Sequence, residues 1–183
     1  MLRGHWAEHS TCARILVGLL SLILAIGGSR NANASMAKQS ESLSDGDKAQ
    51  IIRQMLEPLL SPTKGEEANQ SILDLEDLRR TKGGVVLSTK NIKPHLVLKI
   101  PGVKLLLRKP GAIQKKADSE GDFLYLVFNR FEIKGSKLIV TLTSNWAKSR
   151  TSQEGYLSGG SMTYQFNKAS GKWVGTFLKG FIS

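Results

Sequence analysis

Two long runs rich in β-branched and aromatic residues, Phe123 to Ile133 and Lys137 to Trp146, flank the dipeptide Gly135-Ser136, and this arrangement narrows the possible folds more than any other stretch. A glycine at the first central position of a two-residue loop suits a type II′ turn, whose twist matches that of antiparallel strands. Pairing Lys134 with Lys137 then sets a register in which Ile133 faces Leu138, Phe131 faces Val140, Asn129 faces Leu142, Val127 faces Ser144 and Tyr125 faces Trp146. The other side of the second strand carries Ile139, Thr141, Thr143 and Asn145. That side is more polar, so the first is the expected core face. A second hairpin is predicted from Gly160 to Ile182 around the polar turn Lys168-Ala169-Ser170-Gly171. Aligning Phe166 with Trp173 places Tyr164 opposite Gly175 and Met162 opposite Phe177, and the missing side chain at Gly175 leaves room for the Tyr164 ring.

Ahead of these strands the hydrophobic period is helical. Ser44 is followed three residues later by Asp47, a capping-box-like start, and Ile51, Ile52, Met55, Leu56, Leu59 and Leu60 recur on one face. Pro58 lacks an N–H and clashes with the preceding turn, so the regular helix is expected to end or kink just before it. A shorter helix is read over Ser71 to Arg80 from Ile72, Leu75 and Leu78. From Gly83 the period changes to alternation, with extended pieces predicted at Val85 to Ser88, Leu96 to Ile100 and Val103 to Arg108. The expected class is α+β: one N-terminal amphipathic helix, or two, packed on a curved, mostly antiparallel sheet that ends in two long hairpins.

The first thirty-four residues read as a secretory signal. Arg3 and Arg14 precede an apolar run from Ile15 to Gly28, and Ala32-Asn33-Ala34 offers a small-x-small cleavage site. A retained anchor is the competing reading, but about 20 apolar residues are needed to cross a bilayer and this run is shorter and glycine-containing. Cys12 precedes the apolar run, which is the wrong order for a lipidated cysteine. Cleavage after Ala34 removes the chain's one cysteine and leaves a secreted or periplasmic protein of 149 residues, without disulfide or thiol chemistry. Residues 35–43 form a polar, Ser-rich leader, and residues 44–183 are expected to make a single α+β domain.

Charge is uneven along the chain. Ser35 to Leu78 holds four Lys/Arg and nine Asp/Glu, a net of −5, whereas Arg79 to Ser183 holds nineteen and five, a net of +14. The reading adopted is an acidic N-terminal segment lying across a basic body, with lysines on edges and loops guarding against aggregation. Lys109, Lys115 and Lys116, with Lys104 and Arg108, gather around Pro110-Gly111 as the most concentrated basic surface. Anionic lipid or cell-envelope polymers are its natural alternatives as partners; nucleic acid is not expected, since no nucleic-acid-binding motif accompanies the charge.

The succession of a leading amphipathic helix and a curved meander resembles the nuclear-transport-factor-2-like fold and its smaller cystatin-like relative. More narrowly, Tyr156-Leu157-Ser158-Gly159-Gly160, Tyr164-x-Phe166, Lys168, Gly171-Lys172-Trp173 and Ile182-Ser183 look like the ending of small secreted bacterial proteins of unknown function. The resemblance implies a pocket between helix and sheet, used in the broad fold for small-molecule binding or for catalysis.

Chemical motifs are sparse. With His5 and His9 in the signal segment, His95 is the mature chain's one imidazole, and no G-x-S-x-G elbow accompanies it, so neither a zinc site nor a nucleophilic triad is expected. Asp118, Glu120 and Asp122 surround Gly121, but the glycine stands at the fourth position of a calcium loop, Asn129 stands where its closing Glu belongs, and a solvated loop is preferred. Gly159-Gly160-Ser161 lacks the lysine of a phosphate loop and reads as a tight strand entry. Asn69-Gln70-Ser71 is a formal glycosylation sequon. No catalytic residue, metal or cofactor is assigned. The leading expectation is a non-enzymatic module binding a small ligand or protein partner in a helix-sheet pocket formed by Tyr125, Asn129, Ser144, Trp146 and Tyr164. An envelope-associated module acting through Lys109, Lys115 and Lys116 is the alternative, and an enzyme stands third.

Overall fold

A computed structural model describes residues 43–61, 72–155 and 159–182. Every described residue belongs to one compact unit, Glu41–Ser183. The signal segment, nearly all of the leader, the sequon and Tyr156 to Ser158 lie outside the described residues.

Helix α1 spans Asp45–Leu60. Ser44 caps it as expected: its Oγ accepts from the Asp47 N–H at 3.0 Å and donates to the Asp47 carboxylate at 2.8 Å. The helix does not stop before Pro58. It continues to Leu60, where the Ser61 N–H closes the last turn on the Glu57 carbonyl at 2.9 Å. Burial of Leu59 and Leu60 against the sheet offsets the backbone hydrogen bond that Pro58 removes from the Gln54 carbonyl. A second helix, α2, is confined to Leu75–Arg80, with Asp74 as N-cap in a left-handed conformation and Leu73, Leu75 and Leu78 buried.

Six strands form one open mixed sheet: β1 Val85–Ser88, β2 Leu105–Arg108, β3 Phe123–Lys134, β4 Lys137–Ala147, β5 Gly160–Ala169 and β6 Lys172–Ile182. Their order is β2-β1-β3-β4-β5-β6. The two hairpins are antiparallel, but β1 pairs in parallel with both β2 and β3. The predicted strand at Leu96 to Ile100 is instead a 3-10 turn at Pro94–Leu96 followed by irregular backbone. A parallel neighbour requires a crossover, and the one between β2 and β3 is a third helix, α3, Pro110–Glu120. This helix occupies what the sequence reading left as loop. Pro110 stands in its first turn, Gly121 caps its end at φ +94°, and Ile113 and Ala117, one turn apart, are its buried residues.

These elements make three layers. On one side, α1, α2 and the 3-10 turn pack onto Val85, Leu87, Leu124, Leu126, Phe128, Leu138, Val140, Leu142, Met162, Phe166 and Trp173. On the other, α3 packs on Val86, Phe123 and Ala147, with Leu106 and Tyr125 at the margin. The β1 strand, covered on both faces, is buried throughout.

The first hairpin keeps the expected register near its turn, where Lys134 pairs with Lys137, Ile133 with Leu138 and Phe131 with Val140, and Gly135 has φ +61°. Beyond Arg130 a bulge at Asn129 shifts it by one residue. Phe128 now faces Leu142, Leu126 faces Ser144 and Leu124 faces Trp146. Since side chains alternate, that slip exchanges the faces of β3: Leu124, Leu126 and Phe128 turn into the core, while Tyr125, Val127 and Asn129 turn away. In the second hairpin the turn is the two residues Ser170 and Gly171, at φ +49° and +78°, as in a type I′ turn. The pairing is accordingly Phe166 with Gly175 and Tyr164 with Phe177, and the ring that needs the missing Cβ at Gly175 is Phe166, 2.6 Å from where that atom would lie.

One sheet edge is β6. Gln50 and Gln54 of α1 donate to the Trp173 carbonyl at 3.2 and 2.7 Å, and Gln50 accepts from the Trp173 N–H at 3.4 Å, so the start of that edge is occupied. Farther along, Val174, Leu178, Phe181 and Ile182 remain exposed.

Candidate ligand-binding groove

The layer between α1 and the sheet is filled by buried apolar side chains, which is not where the predicted site residues converge. A groove of about 1070 Å³ lies instead on the opposite face of the sheet, floored by the alternate residues of β4 and β5 and walled by β3 and β6. Tyr125 and Asn129 line it from the outer face, whereas Trp146 borders it with its side chain packed against the main core, on the same side of β4 as Ser144. Two others are on the core side. Ser144 is fully buried, its Oγ accepting from the Gly160 N–H at 2.7 Å and donating to the Gly160 carbonyl at 3.4 Å. Tyr164 packs edge-on to Phe177 at 5.4 Å and against the inner core. Tyr125 pairs with Asn145 rather than Trp146.

Asn129 owes its position to the bulge. Its side chain is exposed rather than buried, and its Nδ2 donates to Thr143 Oγ1 at 2.8 Å. Asn91 fixes the bulged backbone, donating from Nδ2 to the carbonyls of Phe128 at 2.7 Å and Asn129 at 3.3 Å. Thr143 in turn donates to Ser161 Oγ at 3.4 Å, and one rung along, Thr141 and Thr163 share a hydrogen bond at 3.2 Å. The floor is thus a ladder of hydroxyl and amide groups with both donors and acceptors. Thr141 and Thr143 were legible as part of the polar side of the second long strand, opposite the expected core face.

Around the ladder stand Arg130, Lys134, Lys148 and Lys179, with no carboxylate among the lining residues. Glu132 lies beside them and pairs with Arg130 and, at 3.7 Å, with Lys134. Arg130 and Lys134 share Glu132 and Lys148 Nζ donates to the Glu154 carbonyl, and among the described lining residues the cations leave the rim electropositive. Aromatic surface comes from Tyr125 and Phe181. A second hollow of about 510 Å³ shares Tyr125, Asn129, Asn145, Trp146 and Lys148 and extends toward Pro110 and Gln114 of α3.

The loop after β4, at the end of the groove, is held by acids that the calcium-loop reading had grouped. Asp118 accepts from the Arg150 N–H at 3.0 Å and from Gln114 at 3.0 Å, and these donors, the backbone one foremost, hold its carboxyl below the ordinary value of 3.8. Asp122 accepts from the Ser149 N–H at 2.6 Å and from Ser152. Asp118 and Asp122 therefore act as braces for backbone, and among the described residues no cluster of three potential metal ligands occurs.

The expected basic surface is dispersed. Lys109 precedes α3 and Lys115 is exposed on it, whereas Lys116 is drawn in, paired with Glu120, bonded to the Lys82 carbonyl at 3.2 Å and placed over the Phe123 ring. None of the three lines the groove. His95 is exposed, 3.6 Å from Asp45. Among the described residues no helix is long and apolar enough to cross a membrane. No family model, curated protein or solved structure matches the chain.

Proposed function

We propose that this is an exported, non-enzymatic binding module whose ligand lies in the groove on the outer sheet face. The observation that carries the reading is the juxtaposition of a hydroxyl-amide ladder, Asn129-Thr143-Ser161 and Thr141-Thr163, with aromatic surface in one groove. Asn129 is exposed and Thr141, Thr143 and Thr163 are half-buried, so these side chains exchange their mutual hydrogen bonds for a ligand's polar groups at small cost, while the rings supply apolar contact. Export is supported by the charged start, short apolar run and Ala32-Asn33-Ala34 of the leader. The helix-first order and paired long hairpins support the likeness to the nuclear-transport-factor-2-like and cystatin-like folds, with the binding face moved from the helix side to the open side.

Titration of isotopically labelled protein with a panel of neutral and acidic oligosaccharides, amino acids and short peptides tests the assignment. The expected result is that responsive probes shift the amides of Asn129, Thr143 and Ser161, and that Thr143→Leu abolishes the response with little change in melting temperature. Shifts confined to α1, or no response to any probe, overturn it.

A further inference from the structure

We infer that the groove's ligand is an acidic polysaccharide, a chain of sugars bearing carboxylate or sulfate groups. This rests on the groove being the binding site and adds the class of molecule that fills it. Three observations converge. The first is size: about 1070 Å³ lies at or beyond the upper end of ordinary small-molecule sites, roughly 300–1,000 Å³, and the adjoining hollow of about 510 Å³ extends the path, so the space suits several linked units. The second is the floor. Sugar hydroxyls both donate and accept, and so do Asn129, Thr141, Thr143, Ser161 and Thr163, whereas Tyr125 and Phe181 offer rings for the C–H faces of the sugars.

Charge is the third. Arg130, Lys134, Lys148 and Lys179 line the groove around the ladder, and the neighbouring carboxylate Glu132 is shared by Arg130 and Lys134. A neutral glycan leaves this rim unmatched, while an anionic one releases counterions as it binds. A flat anionic membrane matches the charge and leaves the polar floor unmatched. The surface lysines that looked most basic in the sequence, Lys109 and Lys115, are outside the groove, which separates specific capture from the attraction exerted by the net charge of +9 carried from Ser35 to Ser183.

Binding is measured by calorimetry with polygalacturonate, neutral dextran, and vesicles containing phosphatidylglycerol as probes. Polygalacturonate is expected to bind, weakening as salt rises, with Lys134→Glu/Lys179→Glu losing at least tenfold in affinity and Lys109→Glu/Lys115→Glu changing it less than twofold. Thr143→Leu is expected to weaken binding without altering the salt dependence. Circular dichroism melts confirm that each variant folds. Equal loss in both lysine pairs means diffuse attraction and overturns the inference, as does tighter binding to the vesicles. Binding of dextran as tightly as polygalacturonate, lost in Thr143→Leu, overturns the acidic class while the groove remains the site. Silence toward all three probes overturns this inference, and amide shifts produced by another probe then keep the groove assignment separate from it.

Discussion

At the scale of single residues, the most constrained position is Gly160. A Cβ there would lie 1.4 Å from the Ile72 carbonyl oxygen, and at Gly159 it would lie 1.6 Å from that of Ser144. Both neighbours are backbone and cannot rotate away. Ser144 then closes the approach by bonding both the N–H and the carbonyl of Gly160. Gly160→Ala is expected to destabilise the protein by more than about 3 kcal/mol, or to prevent folding, because the strand entry has to move. Urea denaturation checks it, with Gly111→Ala as the control: Gly111 lies in α3 with nothing within 4 Å of its missing Cβ, and that change is expected to stabilise by up to about 1 kcal/mol. The Gly159-Gly160 pair was readable as a tight entry from its composition. Which carbonyls come so close was not, because Ile72 and Ser144 approach only once α2 and β4 are in place.

At the scale of elements, α1 carries a mismatch between local chemistry and packing. Pro58 is exposed in the last turn while its neighbours Leu59 and Leu60 are buried, so tertiary packing holds together a turn that the proline weakens. Pro58→Ala restores the hydrogen bond to the Gln54 carbonyl without disturbing a buried contact, and it is expected to stabilise the protein by about 1–3 kcal/mol, read as a rise in the urea midpoint. The hairpin turn at Gly135-Ser136 and the capped start of α1 were legible because each depends on residues adjacent in sequence. The inner end of β3 was not. Leu124-Tyr125-Leu126-Val127-Phe128 is apolar at every position, since the main core covers one face there and α3 approaches the other, and the alternation that sets register is erased. The missed helix and the misplaced Asn129 are therefore one error: α3 buries only Ile113 and Ala117, too few to announce a period, yet its presence is what removes the period of β3. The same slip turns Tyr125 and Asn129 to the outer face of the sheet.

Taken as a whole molecule, the protein divides its labour between faces. The helix-covered side supplies stability through a continuous apolar core, and the uncovered side of the long strands is free to vary without unsettling it. Intact mass spectrometry of the protein from its native host is expected to show a chain starting at Ser35; a mature pool still beginning at Met1 or Leu2 restores the membrane-anchor reading of the leader.

The strand order also gives the molecule a mechanical grain. β6 has one strand neighbour, β5, and its described ties to α1 through Gln50 and Gln54 are at Trp173, near the turn. A pull on Ile182 away from the sheet loads the β5–β6 hydrogen bonds one after another, as in opening a zipper. A pull along β1 meets parallel partners on both sides and has to shear both rows together. Under tension the sheet therefore yields from the β6 margin, and the clamp around β1 is the last part to give.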